Sequence, residues 1–135
     1  MAQVARADVL ELRLETDVVL VRQAVRTSSV QQGFTLVDQT KMVTAASEIA
    51  RNTVKHGGGG TVRIEAVVEG ARKGLRLVFE DRGPGIKDIE LAMRDGYTTG
   101  TGLGMGLGGA RRLVNEFSIE STPGEGTKVI LTRWR

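Results

Sequence analysis

Polar and apolar positions along the chain change period several times, and each change marks an element. Leu10, Leu12 and Leu14 alternate with Glu11, Arg13 and Glu15, the period-two pattern of a half-buried strand. From Asp17 the spacing lengthens, with Val18, Val21 and Val25 on one helical stripe. A second helix is predicted after Thr35, turning Met42, Ala45, Ala46, Ile49 and Ala50 inward and stopping at His56, where four glycines follow. Two strands come next, joined at Gly70–Gly74. In the first, Val62, Ile64, Ala66 and Val68 share a face; in the second, Leu75, Leu77 and Phe79 do.

After Asp81-Arg82-Gly83-Pro84-Gly85 a short helix is predicted from Lys87 to about Arg94. The stretch Gly96 to Met105 has no periodicity. It opens into a helix with Ala110, Leu113, Val114 and Phe117 as its apolar positions. A hairpin closes the chain: a strand near Phe117–Ser121, a turn at Pro123–Gly126 and a strand from Thr127 to Trp134. This order implies an α+β domain over residues 1–135, with a mostly antiparallel sheet and helices on one face.

Composition narrows the chemistry. The 135 residues include no cysteine, which excludes zinc-thiolate sites, thiol nucleophiles and disulfides. Apolar runs are too short for a membrane span or signal-peptide core, so a cytoplasmic protein without a membrane partner is expected. Nineteen basic residues against sixteen acidic, with five aromatics and no Lys/Arg run, give little support for nucleic-acid binding. Glycine is abundant, and its placement is uneven. Seven of the eighteen lie between Gly96 and Gly109.

Three groups of residues suggest a site. Glu48 and Asn52 are one helical turn apart at the edge of the apolar stripe, where a carboxylate can accept a proton and an amide oxygen can ligate Mg²⁺. Lys55 and His56 follow on the next turn and could reach an anion. Asp81 falls in step with Leu75, Leu77 and Phe79, so a carboxylate points at the core and needs a donor from protein, water or ligand. Gly83 and Gly85 then let backbone approach a planar ligand.

The glycine-rich run from Gly100 to Gly109 leads directly into a helix, whose free N–H groups and dipole suit phosphate. Gly104, Gly106 and Gly109 match the spacing of a dinucleotide fingerprint, but a loop rather than a strand precedes them. Neither a Walker P-loop nor the signatures of eukaryotic-type kinases occur.

Taken in order, Glu48-xxx-Asn52, Asp81-x-Gly83-x-Gly85, Gly102-Leu103-Gly104-Met105-Gly106-Leu107 and Gly124-x-Gly126-Thr127 resemble the nucleotide site of the GHKL ATPase/kinase superfamily. Within it the chain is most similar to the anti-sigma regulatory serine/threonine kinases, especially the RsbT-type kinases of the stressosome. The resemblance covers nearly the whole chain. It implies a Bergerat-type two-layer α/β sandwich with a mixed, mostly antiparallel sheet, holding Mg²⁺ and ATP between helices and sheet. By position, Asn52 would ligate Mg²⁺ beside the ATP phosphates and Glu48 would be the catalytic base. Asp81 would accept from the adenine amino group, with Thr127 supporting that edge. Gly83, Gly85 and Ile86 would line the base, and Gly102, Leu103, Gly104, Met105, Gly106 and Leu107 the phosphates. Thr98 and Thr99 would lie in the ATP lid.

The acceptor implied is a serine or threonine of a STAS-domain antagonist, after which the kinase binds a downstream phosphatase or other effector. An anti-sigma factor that holds a sigma factor is the second reading, and an ATP-regulated binding switch with little catalysis the third. A sensor histidine kinase fits poorly, because the one histidine, His56, lies inside the site.

Overall fold

Alternation of apolar and polar residues over long runs, punctuated by glycine, builds one sheet with its apolar side covered by helices. The computed structural model describes residues 2–93 and 106–135. Its elements are β1 (Gln3–Leu12), α1 (Glu15–Gln31), α2 (Leu36–Lys55), β2 (Gly60–Glu69), β3 (Arg72–Asp81), α3 (Ile89–Ala92), α4 (Gly106–Arg112), β4 (Glu116–Thr122) and β5 (Gly126–Trp134). The strands lie in the order β1-β2-β3-β5-β4, and every neighbouring pair is antiparallel. The architecture is α+β as expected, but the described sheet is wholly antiparallel rather than mixed. Each strand joins its neighbours through a hairpin or a return across the helical layer, so no parallel pair forms.

Leu12, Val62, Ile64, Leu75, Leu77, Phe79 and Leu131 meet Val21, Val25, Met42, Ala46 and Ile49 of α1 and α2 in the core. Side chains of Phe79, Leu12, Met42 and Ile49 are almost wholly buried, each worth about 1.5–3 kcal/mol against exposure. Among the described residues no helix is long and apolar enough to cross a membrane.

Several boundaries differ from the periodic reading. The first strand runs from Gln3 to Leu12, and Leu14 is 64% exposed. Its apolar phase is broken by Asp17, whose carboxylate accepts the backbone N–H groups of Arg13 and Leu14 and starts α1 there. Thr35 caps α2 as its sequence suggests, its hydroxyl accepting from the Asp38 N–H. The short helix is only Ile89–Ala92, begun by Asp88 accepting from the Leu91 N–H. The last helix ends at Arg112, so Phe117 belongs to β4 and packs on the core from the sheet. The β2–β3 turn is tighter than Gly70–Gly74: β3 begins at Arg72, and Gly74 already pairs with Val67 and Trp134.

Ion pairs fasten this frame. Arg133 donates to the Leu113 carbonyl and to Asp38 at 2.7 Å, linking β5, the end of α4 and the start of α2. The Arg133 guanidinium holds the Asp38 carboxyl below its usual range, and the Leu14 and Arg13 amides do the same for Asp17. For Glu65 burial pushes the pKa up, but Arg76 and Arg63 together outweigh it and leave it lowered. All three shifts are downward, so their stabilisation is present above the ordinary carboxylate range of about 4 and is lost as pH falls through the lowered folded values. The urea midpoint, followed by Trp134 fluorescence, should be flat from about pH 7 to 5 and fall below about pH 4. Asp38→Asn should make that acid limb shallower; an unaltered limb would show that Asp38 contributes nothing.

Candidate nucleotide site

The helix α2 carries the first part of the site because its C-terminal half is amphipathic at its edge. Ile49, Ala50 and Thr53 are buried, whereas Asn52 is half-buried and Lys55 exposed. Glu48 is 9% exposed. Glu48, Asn52, Lys55 and His56 all line one cavity of about 480 Å³ between α2 and the ends of β3 and β5. Asp81, Gly85, Ile86, Gly106, Leu107 and Thr127 line the same cavity from the other side. Ten of the residues singled out by sequence therefore share one concavity. Gly83 sits just behind it, against Gly57. Thr98, Thr99, Gly102, Leu103, Gly104 and Met105 lie outside the described residues.

Asp81 ends β3, opposite Thr127 of β5 and Gly60 of β2. Its Oδ1 accepts the Gly83 N–H at 2.9 Å and the Thr127 N–H at 3.3 Å. The carboxylate in core phase is thus partnered on one oxygen by the two strand ends. The other oxygen lies beside Gly57, where a Cβ would stand 2.5 Å from it. Gly85 takes φ +76, and a Cβ there would come within 2.5 Å of the Thr122 carbonyl. A side chain at that position would push the wall of the cavity outward.

Two residues that periodicity did not single out hold the site together. The Ser121 hydroxyl accepts the Ile86 N–H at 2.7 Å and meets the Thr127 hydroxyl at 2.8 Å, fixing both cavity-lining residues. Its signal was available: Ser121 falls in the inward phase of Phe117 and Ile119, as Asp81 does on its own strand. Arg51 also lines the cavity and donates from Nη1 to Glu48 Oε1 at 3.1 Å. Lys55 sits at the rim, 3.5 Å from Glu15 at the start of α1. The backbone N–H of His56 bonds the Asn52 carbonyl as α2 ends.

A carboxylate, an amide and an inward aspartate around one concavity can bind a polar planar ligand at one end and an anion with a hard cation at the other. Among the described residues no group of three His, Cys, Asp or Glu could hold a metal on its own. Asn52 alone, offering one amide oxygen, fits Mg²⁺, which keeps waters and phosphate oxygens as its remaining ligands.

Comparisons with known proteins show what the chain is similar to. The serine/threonine-protein kinase RsbT of Bacillus subtilis is 44% identical over 125 residues, which is 93% of this chain and 94% of that protein. The anti-sigma F factor of Clostridium kluyveri is 35% identical over 105 residues, 73% of this chain and 72% of that one. A crystal structure of RsbU and RsbW domains from Mycobacterium tuberculosis shares the fold, with a TM-score of 0.68 and 24% identity over 97% of this chain and 33% of that one. The sequence profile described as histidine kinase-, DNA gyrase B-, and HSP90-like ATPase matches residues 37–134. The chain belongs to this ATPase family.

Proposed function

We propose that the chain is an ATP-dependent serine/threonine protein kinase of a bacterial partner-switching pathway. Its substrate is a serine or threonine of a STAS-domain antagonist, and the unoccupied kinase then binds and activates a downstream phosphatase. The observation that carries this reading is the convergence of Glu48, Asn52 and Asp81 on one cavity, in a chain 44% identical to a serine/threonine kinase along nearly its whole length. The reading places the protein in the cytoplasm, where ATP and such partners are found.

In this mechanism Asp81 accepts from the adenine amino group with the oxygen that the strand ends leave over, and Thr127 supports the same edge. Gly83 and Gly85 keep side chains off the plane of the base, and Ile86 covers it. Asn52 would hold Mg²⁺ through its amide oxygen, and the bound ion would supply charge neutralisation at the phosphates. Glu48 orients the acceptor hydroxyl and takes its proton. Gly106 and Leu107, at the start of α4, bring backbone to the phosphate end of the cavity. Catalysis is thus positioning and electrostatics, with one proton acceptor.

The test is incubation of the chain with Mg²⁺, ATP and a STAS-domain protein encoded nearby, followed by mass analysis. One phosphate on a serine or threonine of that protein is expected. Its absence, with ATP bound, would move the chain to the role of an ATP-regulated binding switch. A second reading, an anti-sigma factor that holds a sigma factor, is favoured by the 35% identity to an anti-sigma F factor. Co-purification with a sigma factor would decide for it.

A further inference from the structure

Glu48 is the most enclosed acidic side chain on the cavity wall: Asp81 is half-buried and Asp88 exposed. A carboxylate at that depth needs a partner, and Arg51 supplies one at 3.1 Å, three residues on along the same helix. The pair is at odds with the work of a base. A guanidinium bonded to a carboxylate occupies an oxygen that should accept a proton. The Arg51 side chain is 33% exposed and lines the cavity, so it is not packed in on all sides. Arg51 directly precedes Asn52 on α2, and both line the cavity. One of its five N–H donors serves Glu48 in this contact.

We propose that Arg51 is a γ-phosphate sensor that holds Glu48 while the cavity lacks a triphosphate and releases it when one binds. The proposal rests on the kinase reading above. A terminal phosphate carries more charge than a carboxylate and offers the fork of a guanidinium two oxygens, so it competes successfully for Arg51. Glu48, left without its partner, then takes the donor that arrives next, the acceptor hydroxyl. In the transfer step the hydroxyl oxygen bonds the γ-phosphorus and the hydroxyl proton passes to Glu48. The bond from the γ-phosphorus to the bridging oxygen breaks, its electron pair leaving on ADP. A diphosphate reaches less far, so with ADP bound the Arg51–Glu48 pair persists and the base stays engaged. The device ties proton acceptance to the presence of a transferable phosphate.

Calorimetric titration with Mg²⁺ and either ADP or a non-hydrolysable ATP analogue tests this on the wild type, Arg51→Gln and Glu48→Gln. Arg51→Gln should lose about tenfold in affinity for the analogue while ADP stays within about twofold. Glu48→Gln, which leaves Arg51 a neutral amide oxygen in place of a carboxylate and so holds it less strongly, should bind the analogue several-fold more tightly with ADP unchanged. Equal losses for both nucleotides in Arg51→Gln would make Arg51 a structural residue and overturn the proposal, as would no loss at all. If Arg51→Gln is unfolded by circular dichroism, the Glu48→Gln titration decides alone, and an unchanged analogue affinity rejects the sensor. Failure of the wild type to bind either nucleotide would instead reject the kinase reading itself, and the sensor with it.

Discussion

Glu48→Gln is expected to slow phosphoryl transfer by about 10²- to 10⁴-fold without weakening Mg-ATP binding, the range contributed by a well-placed general base. The exchange is nearly isosteric, and the side chain sits where it is 12% exposed, so the packing of α2 against the sheet has no reason to change. Arg51 keeps an oxygen to donate to at the same position, so the helix face is not disrupted either. What disappears is the capacity to take a proton. Single-turnover transfer to the antagonist, measured at saturating Mg-ATP, isolates that step from nucleotide binding. A transfer rate equal to wild type would remove Glu48 from the base role and leave it as a partner for Arg51 only.

Gly57→Ala should cost about 10- to 100-fold in affinity for adenine nucleotides, although residue 57 carries no chemistry of its own. A Cβ there would stand 2.4 Å from Asp81 Cγ and 2.7 Å from its Cβ, distances that no side chain adopts. Asp81 cannot simply rotate away, because its Oδ1 is held by the N–H groups of Gly83 and Thr127. Either the carboxylate leaves those donors or the turn after α2 moves, and both take the carboxylate proposed to accept from adenine out of place. The lost contact is a charge-assisted hydrogen bond, worth about 1.5–3 kcal/mol, which sets the size of the effect. Overpacking adds a loss of stability of about 1–3 kcal/mol, read as a lower urea midpoint. Gly58→Ala serves as a comparison: φ is +72 there but no atom lies within 4 Å, so it should lose some stability and little affinity. Wild-type ATP affinity in Gly57→Ala would show that the Asp81 carboxylate has more freedom than this packing allows.

Those two residues also mark the limit of what the sequence makes legible. Glu48 is visible because helical periodicity places a charge beside an apolar stripe, and Asp81 because strand phase points a carboxylate inward. Both signals are local and need only the period of one element. Gly57 belongs to the four glycines that end α2, and the end of a helix is reason enough for a glycine. Its second role, making room for Asp81 from twenty-four residues away, exists only once the end of β3 lies against the turn after α2. Ser121 and Arg51 fall between these cases. One has an inward phase and the other an i,i+3 relation to Glu48, but each becomes meaningful only beside its partner. The ambiguity of Phe117 has the same origin. Its spacing from Ala110 and Val114 suits a helix, and its spacing to Ile119 suits a strand. Pairing of Phe117 with Leu131 across β4 and β5 settles it for the strand.

The double use of Asp81 has a consequence for how such a site can diverge. Its Oδ1 closes the ends of β3 and β5 while the residue also lines the cavity, so the proposed recognition of adenine and sheet closure share a side chain. A lineage that drifted toward a different purine would have to rebuild a strand end in the same step, and intermediates would be both loose and unselective. Lys55, at the rim of the cavity and paired with Glu15, carries no such burden. Change in this scaffold should therefore accumulate at the rim of the cavity, where new protein partners can be met, while the end of β3 stays fixed.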